Sequence, residues 1–215
     1  MNVLELFAGS RTFSKEAQQM GYKTFTSDYK QFDGVDYVVD ILDFDTSKVP
    51  FRPDLIWASP PCTSFSVAAQ WRHWDKLTPI SDSARLGISI VTKTIEIIKE
   101  LNPIYWYIEN PRGKLRSLDM MIGLPRTTIW YCKYGLDIAK PTDIWSNNIY
   151  NPMFNSNGWK PREECFNGNL DCHHQKTYRK DKHRGSKGLA GLGSPYKRAI
   201  LPIELCKEIL KQTKL

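Results

Sequence analysis

Several features are scarce or missing in this sequence, and each shortage narrows its class. No apolar run approaches the roughly 20 residues that a membrane-spanning helix needs, and the mean hydropathy is -0.45. No membrane-embedded part is expected. The opening segment Met1-Asn2-Val3-Leu4-Glu5-Leu6-Phe7-Ala8-Gly9-Ser10 has no basic leader before its apolar residues, so it reads as a buried strand and not as a secretory signal. Cysteine is sparse and odd in number, five in 215 residues. That argues against a disulfide-stapled secreted scaffold and for a reducing cytoplasm, where thiols serve catalysis or metal binding. Neither the dinucleotide fingerprint G-x-G-x-x-G nor the Walker phosphate loop occurs, so neither NAD nor ATP is supported. There is no internal repeat. With 41% hydrophobic and 25% charged residues, the chain is neither a disordered tail nor a fibre. Its length is that of one domain, at most with a small appendage.

Charge is unevenly placed. The chain carries 30 Lys+Arg against 23 Asp+Glu, a net +7. Residues 176–198 alone hold eight basic residues, Lys180 and Arg184 among them, against Asp181, which matches the whole excess. A basic, Gly-rich stretch of this kind is either the footprint of a polyanion or a solvated loop with no partner.

The apolar pattern predicts strands over 3–7, 23–27, 37–39, 55–58, 104–108 and 127–131, and helices over 11–20, 83–101 and 203–212. Strands alternating with helices argue for a doubly wound α/β sheet. Gly9, Asp28, Asp40, Pro60-Pro61-Cys62 and Glu109 all fall at or just beyond the carboxyl ends of these strands, the rim where open α/β sheets bind ligands. Residues 146–198 have little periodicity and read as an insert. The expected division is a core over 1–145, the insert, and a C-terminal helix segment over 199–215 that returns to the core.

Gly9 lets the backbone approach a ligand closely. Asp28, ending the next strand, is placed either to accept hydrogen bonds from ribose hydroxyls or to cap a helix. Cys62 follows a rigid Pro60-Pro61 pair and precedes a Ser-rich segment, which is not the setting of an inert core thiol. If the strand ending at Glu109-Asn110-Pro111 neighbours the Cys62 strand, thiol and carboxyl share one pocket, a constellation for covalent catalysis.

LELFAGS, SPPCTSFS and YIENPRG, in this order and spacing, resemble the DNA (cytosine-5)-methyltransferase family over roughly residues 1–145 and the final helix at 200–210. The KPTDIW and RGS segments look most like its compact members from bacteriophages and prophages. The resemblance implies a Rossmann-like methyltransferase fold with S-adenosylmethionine as cofactor, held by Phe7, Ala8, Gly9, Asp28, Asp40, Ile41 and Pro60. Asp28 would face the ribose, Asp40 the adenine amino group and Phe7 the adenine face. It implies Cys62 as the nucleophile that adds to C6 of a flipped cytosine in DNA, and Glu109 as the acid, with a raised carboxyl pKa. Ser66, Trp71, Arg72, Arg112, Arg126, Lys180 and Arg184 are the expected DNA contacts. Trp71 and Trp74, with Arg72 between them, either stack on or wedge into DNA or merely pack their loop on the sheet. Arg112 is otherwise a surface arginine at a helix start.

The sequence departs from the family in three places. Ser10-Arg11-Thr12 replaces the glycine-rich tail of the first motif. The Gln-x-Arg-x-Arg segment has no clear match, with Arg126 as a substitute. The recognition region is short, so the protein reads a very short site, or little sequence, or depends on a protein partner; a monomer is expected. Within the insert, Cys165, Cys172 and His173, joined by Cys132, suggest structural zinc, against the alternative of free thiols in a loop. Two other functional readings stay open. One is the same chemistry on RNA or a pyrimidine nucleotide; the other is a nucleic-acid-binding module without turnover.

Overall fold

Both faces of the central strands are apolar, which is why their sequences run without clear alternation. Leu4, Leu6, Ile56, Ala58 and Ile108 point to one face, and Val3, Leu55, Trp57 and Tyr107 to the other. The computed structural model describes residues 1–176 and 199–213. The basic stretch with Lys180 and Arg184 lies outside them, apart from Lys176, of whose side chain nothing is described.

The main sheet contains β1 (Asn2–Leu6), β2 (Lys23–Asp28), β3 (Tyr37–Val38), β4 (Leu55–Ala58), β7 (Tyr105–Pro111), β8 (Arg126–Trp130) and β9 (Pro141–Ser146), in the order β3-β2-β1-β4-β7-β9-β8. The five strands from β3 to β7 are parallel, and β9 runs antiparallel between β7 and β8. A small hairpin, β5 (Trp74–Asp75) and β6 (Thr78–Pro79), lies in the loop after β4. The helices are α1 (Thr12–Gln19), α2 (Gln70–His73), α3 (Asp82–Leu101), α4 (His173–Lys176) and α5 (Ile203–Gln212). α3 covers the Leu4/Ile56/Ile108 face. α1 and α5 cover the other, where the Phe13 ring stacks on Trp57 at 4.6 Å. Among the described residues no helix is long and apolar enough to cross a membrane.

The doubly wound sheet is the fold expected from the alternation of elements. Three details differ. β7 begins at Tyr105 and continues through Pro111, so Glu109 and Asn110 are inside a strand and not beyond it. The strand expected at 127–131 runs Arg126–Trp130. β9 is an additional strand built from the KPTDIW segment, and its polar Thr142 and Asp143 break the apolar run that would have announced it.

The insert borrows its core from the sheet. Trp159 is fully buried against the α5 side and donates its Nε1–H to Glu208 at 3.0 Å. Arg162 pairs with Glu204 and Glu208 and lies over the Tyr134 ring.

Candidate active site and metal centre

The order reversal between β1 and β4 puts a crevice at their carboxyl ends, and the chain arrives there in unusual backbone. Phe7, Gly9 and Arg11 have φ of 59°, 48° and 56°. Left-handed conformations at Phe7 and Arg11 cost about 1–3 kcal/mol each and concentrate where a ligand is clamped. Arg11, in the Ser10-Arg11-Thr12 segment, itself takes the left-handed conformation that favours glycine. Asp28 braces this turn. Its two carboxylate oxygens accept the N–H groups of Gly9 and Lys30, each at 3.0 Å. Asp40 accepts the Leu42 N–H at 3.0 Å and caps a short turn over Ile41–Asp43, in which Ile41 is buried.

Beneath the turn lies Glu5, a buried carboxyl that motif reasoning missed. Its Oε2 accepts the Ser14 N–H at 2.8 Å near the start of α1. Burial pushes its pKa up to about 7, against the lowering effects of hydrogen bonds from Ser14 and Phe13 and of the Arg11 charge.

β4 and β7 are neighbours, with Ala58 beside Ile108, so the loops that follow them emerge together. The Asn110 side chain donates to the Pro60 carbonyl at 2.9 Å, tying the Cys62 loop to the Glu109 strand. The Cys62 carbonyl accepts the N–H groups of Phe65 and Ser66, both at 3.1 Å, in a tight turn. Ser66 bridges to Gly113, and Lys114 donates its N–H to the Phe65 carbonyl at 2.7 Å. A Cβ on Gly113 would meet that carbonyl at 2.1 Å, so only glycine allows this approach. Cys62 itself is half-buried.

Glu109 is nearly inaccessible. Its Oε1 accepts the Tyr131 hydroxyl at 2.9 Å and lies 3.7 Å from Lys140 Nζ. Lys140 also sits over the Tyr131 ring, 4.4 Å from its centroid. Tyr131 lies in no motif, and Lys140 opens the KPTDIW segment without a role attached to it; their nearness to Glu109 becomes visible only when β8 and β9 are brought beside β7.

The proposed DNA contacts are dispersed. Trp71 is 67% exposed, with the Arg72 guanidinium 4.7 Å from its ring centroid. Trp74 is core: it is 6% exposed and donates its Nε1–H to the Ser64 carbonyl at 2.9 Å. Arg112 is exposed and lies over the Trp130 ring at 5.5 Å. Arg126 pairs with Asp143 at 3.4 Å. The strand register puts it on the Ile108/Asn110 face, opposite the one to which Glu109 belongs.

A second cluster joins the insert to the sheet. Cys132, Cys165, Cys172 and His174 are all buried, and their ligand atoms lie within 4.8 Å of one another. His174 takes the place expected for His173, whose Nε2 instead meets the Leu136 carbonyl at 3.0 Å. Burial, together with Cys165 and Cys172, pushes the Cys132 thiol up. Burial acts the same way on Cys165, but hydrogen bonds with the Asn169 side chain, the Phe166 backbone, Cys132 and Cys172 outweigh it and hold that thiol below its usual value. His174 is shifted down, first by burial and then by the His173 charge, which favours the neutral ring that ligates metals.

The model of the C-5 cytosine-specific DNA methylase family matches residues 1–119. A protein of Frog virus 3 (isolate Goorha) named "Probable DNA (cytosine-5)-methyltransferase" is 30% identical over 156 residues, covering 68% of this chain and 71% of the viral one. Among solved structures, the Entamoeba histolytica methyltransferase EhMeth is similar with a TM-score of 0.53 at 13% identity, over 77% of this chain and 57% of that one. The S. pombe Dnmt2 methyltransferase has a TM-score of 0.47 at 13% identity, over 68% and 48%. The chain thus spans about half the length of these solved structures. The likeness to EhMeth is one of fold, a methyltransferase α/β sheet, whereas the family match and the viral relative reach further: this chain belongs to the C-5 cytosine-specific DNA methylase family.

Proposed function

We propose that the protein methylates carbon 5 of cytosine in DNA, with the base turned out of the duplex and held covalently by Cys62. The observation that carries this reading is the Asn110–Pro60 hydrogen bond, which fastens the thiol-bearing loop to the carboxyl-bearing strand.

The residues around the β1 turn fit S-adenosylmethionine. The left-handed backbone opens the turn, and Phe7, Ala8, Gly9, Asp28, Asp40, Ile41 and Pro60 would hold the cofactor. Bound there, S-adenosylmethionine supplies an electrophilic methyl group. Cytosine C5 is a weak nucleophile, and the protein has to activate it. The Cys62 thiolate adds to C6, the C5–C6 π pair moves onto C5, and N3 takes the proton of Glu109. The activated C5 accepts the methyl group. A base then removes the C5 proton, the C6–S bond breaks to restore the thiolate, and N3 returns its proton to Glu109. The base has to leave the stack to enter a site this enclosed.

Ser66, Trp71, Arg72 and Arg112 are offered to the nucleic acid, with Trp71 as a stacking or wedging group. Arg126, Lys180 and Arg184 complete the proposed DNA contacts. The Cys132/Cys165/Cys172/His174 cluster would hold a structural zinc ion that fixes the insert to β8. The chain would act in a cytoplasm as a monomer, reading a short site or relying on a protein partner.

The test is transfer of a labelled methyl group to duplex DNA, RNA or dCMP by the wild-type chain and by Cys62→Ser. Label in DNA with the wild type alone is expected. Label in RNA or dCMP instead would move the substrate, and label in none would reduce the protein to a binding module.

A further inference from the structure

We propose that Lys140 is a positioning residue for Glu109, its ammonium group supplying the fixed positive charge that holds the carboxylate when its proton has passed to the cytosine ring. This rests on the C-5 methylation reading of the site.

Lys140 is 5% exposed. A lysine so enclosed needs a partner for its charge. It lies 3.7 Å from Glu109 Oε1 and 4.4 Å from the Tyr131 ring centroid, while the Tyr131 hydroxyl donates to the same oxygen at 2.9 Å. Two groups thus grip one carboxylate oxygen from the β8–β9 side. The backbone fixes the grip. Tyr131 donates its N–H to the Lys140 carbonyl at 3.2 Å, and Arg112 donates its N–H to the Pro141 carbonyl at 2.9 Å. The entry of β9 is therefore stitched both to the residue that follows β8 and to the segment just past Glu109.

The site needs such a group. When the Cys62 thiolate adds to C6, the π pair moves toward C5, and N3 takes the Glu109 proton, an anion is left in a pocket with little solvent. A fixed cation beside it compensates the new charge without reorganisation. Arg126, the sequence-based substitute for the missing Gln-x-Arg-x-Arg arginine, pairs with Asp143 and belongs to the other face of the sheet. Lys140 meets the carboxylate directly. It acts through Glu109 and leaves cofactor binding alone.

The experiment compares wild type, Lys140→Met and Lys140→Arg as full chains. It reads S-adenosylmethionine binding, and kcat and KM on cytosine-containing DNA. Lys140→Met should bind the cofactor as the wild type does and keep its KM for DNA, but lose roughly 30-fold or more in kcat. Lys140→Arg, which restores the charge, should recover to within roughly 5-fold of wild type. A Lys140→Met variant with undiminished kcat overturns the assignment, as does a Lys140→Arg variant no better than Lys140→Met. A Lys140→Met chain that no longer folds or binds cofactor also overturns it, because the ammonium would then be a folding element. Absence of methyl transfer by the wild type would overturn the function and this assignment together, whereas transfer by the wild type with an unaffected Lys140→Met overturns the assignment alone.

Discussion

Glu5 shows how far one side chain can depart from its appearance in a sequence. It stands between Leu4 and Leu6 in a strand whose two faces are both covered, and its carboxyl is buried with a pKa near 7 against an ordinary 4.5. Between these values the unfolded chain has released the proton while the folded chain keeps it. Stability should therefore fall as pH rises from about 4.5 to 7 and stay level above that, with respect to this group. Glu5→Gln keeps an acceptor for the Ser14 N–H and removes the titration. Urea unfolding at several pH values should show the wild type losing roughly 3 kcal/mol relative to Glu5→Gln across that interval. Curves that stay parallel would contradict the placement of Glu5. The glycine of the same motif was legible because Gly has a conformational signature; the carboxylate beside it was not. Nothing in LELFAGS says that its glutamate, Glu5, lies under the start of the next helix. Asp28 is a middle case. Its position at a strand end was readable, but its role in bracing the Gly9 and Lys30 N–H groups required the β1–β2 register.

At the scale of elements, the loop between β4 and α3 separates two tryptophans that the sequence presents alike. Trp74 packs against Phe65 at 6.0 Å and seats the loop that carries Cys62. Trp71, three residues earlier, faces outward with Arg72. Trp74→Ala should destabilise the protein by roughly 3–5 kcal/mol. Trp71→Ala should leave the unfolding midpoint in place and weaken DNA binding by roughly 1–3 kcal/mol. Denaturant unfolding and a fluorescence titration with duplex DNA read the two effects. Full DNA affinity in Trp71→Ala would remove it from the interface. The parallel strands and the long helix α3 were readable from periodicity, and Ser81 caps that helix through the Ala84 N–H as a serine there should. β9 was hidden by Asp143, a buried carboxylate that Arg116 and Thr128 satisfy from neighbouring elements. Those partners are distant in sequence, and so was the signal.

At the scale of the whole molecule, the question is what holds a polar insert on an α/β core. Trp159 and Arg162 fasten one part of it to α5, and the cysteine–histidine cluster fastens another to the end of β8. Cysteine density betrayed the cluster in the sequence, but the choice between His173 and His174 was out of reach. Consecutive helical residues point about 100° apart, so one of the pair faces the thiols and the other does not. Protein purified without chelator should carry about one equivalent of zinc. His174→Ala or Cys165→Ala should lower both the zinc content and the Tm, and His173→Ala neither. A metal content unaffected by His174→Ala would refute the cluster as a site.

The central claim is a covalent bond between one sulfur and one base. Duplex DNA bearing 5-fluorocytosine, incubated with the protein and S-adenosylmethionine, should yield a denaturation-resistant adduct, because fluorine at C5 blocks the elimination that frees the thiol. Peptide mass spectrometry should place that adduct on Cys62, and Cys62→Ser should form none. An adduct on any other residue, or one that survives Cys62→Ser, would contradict the account.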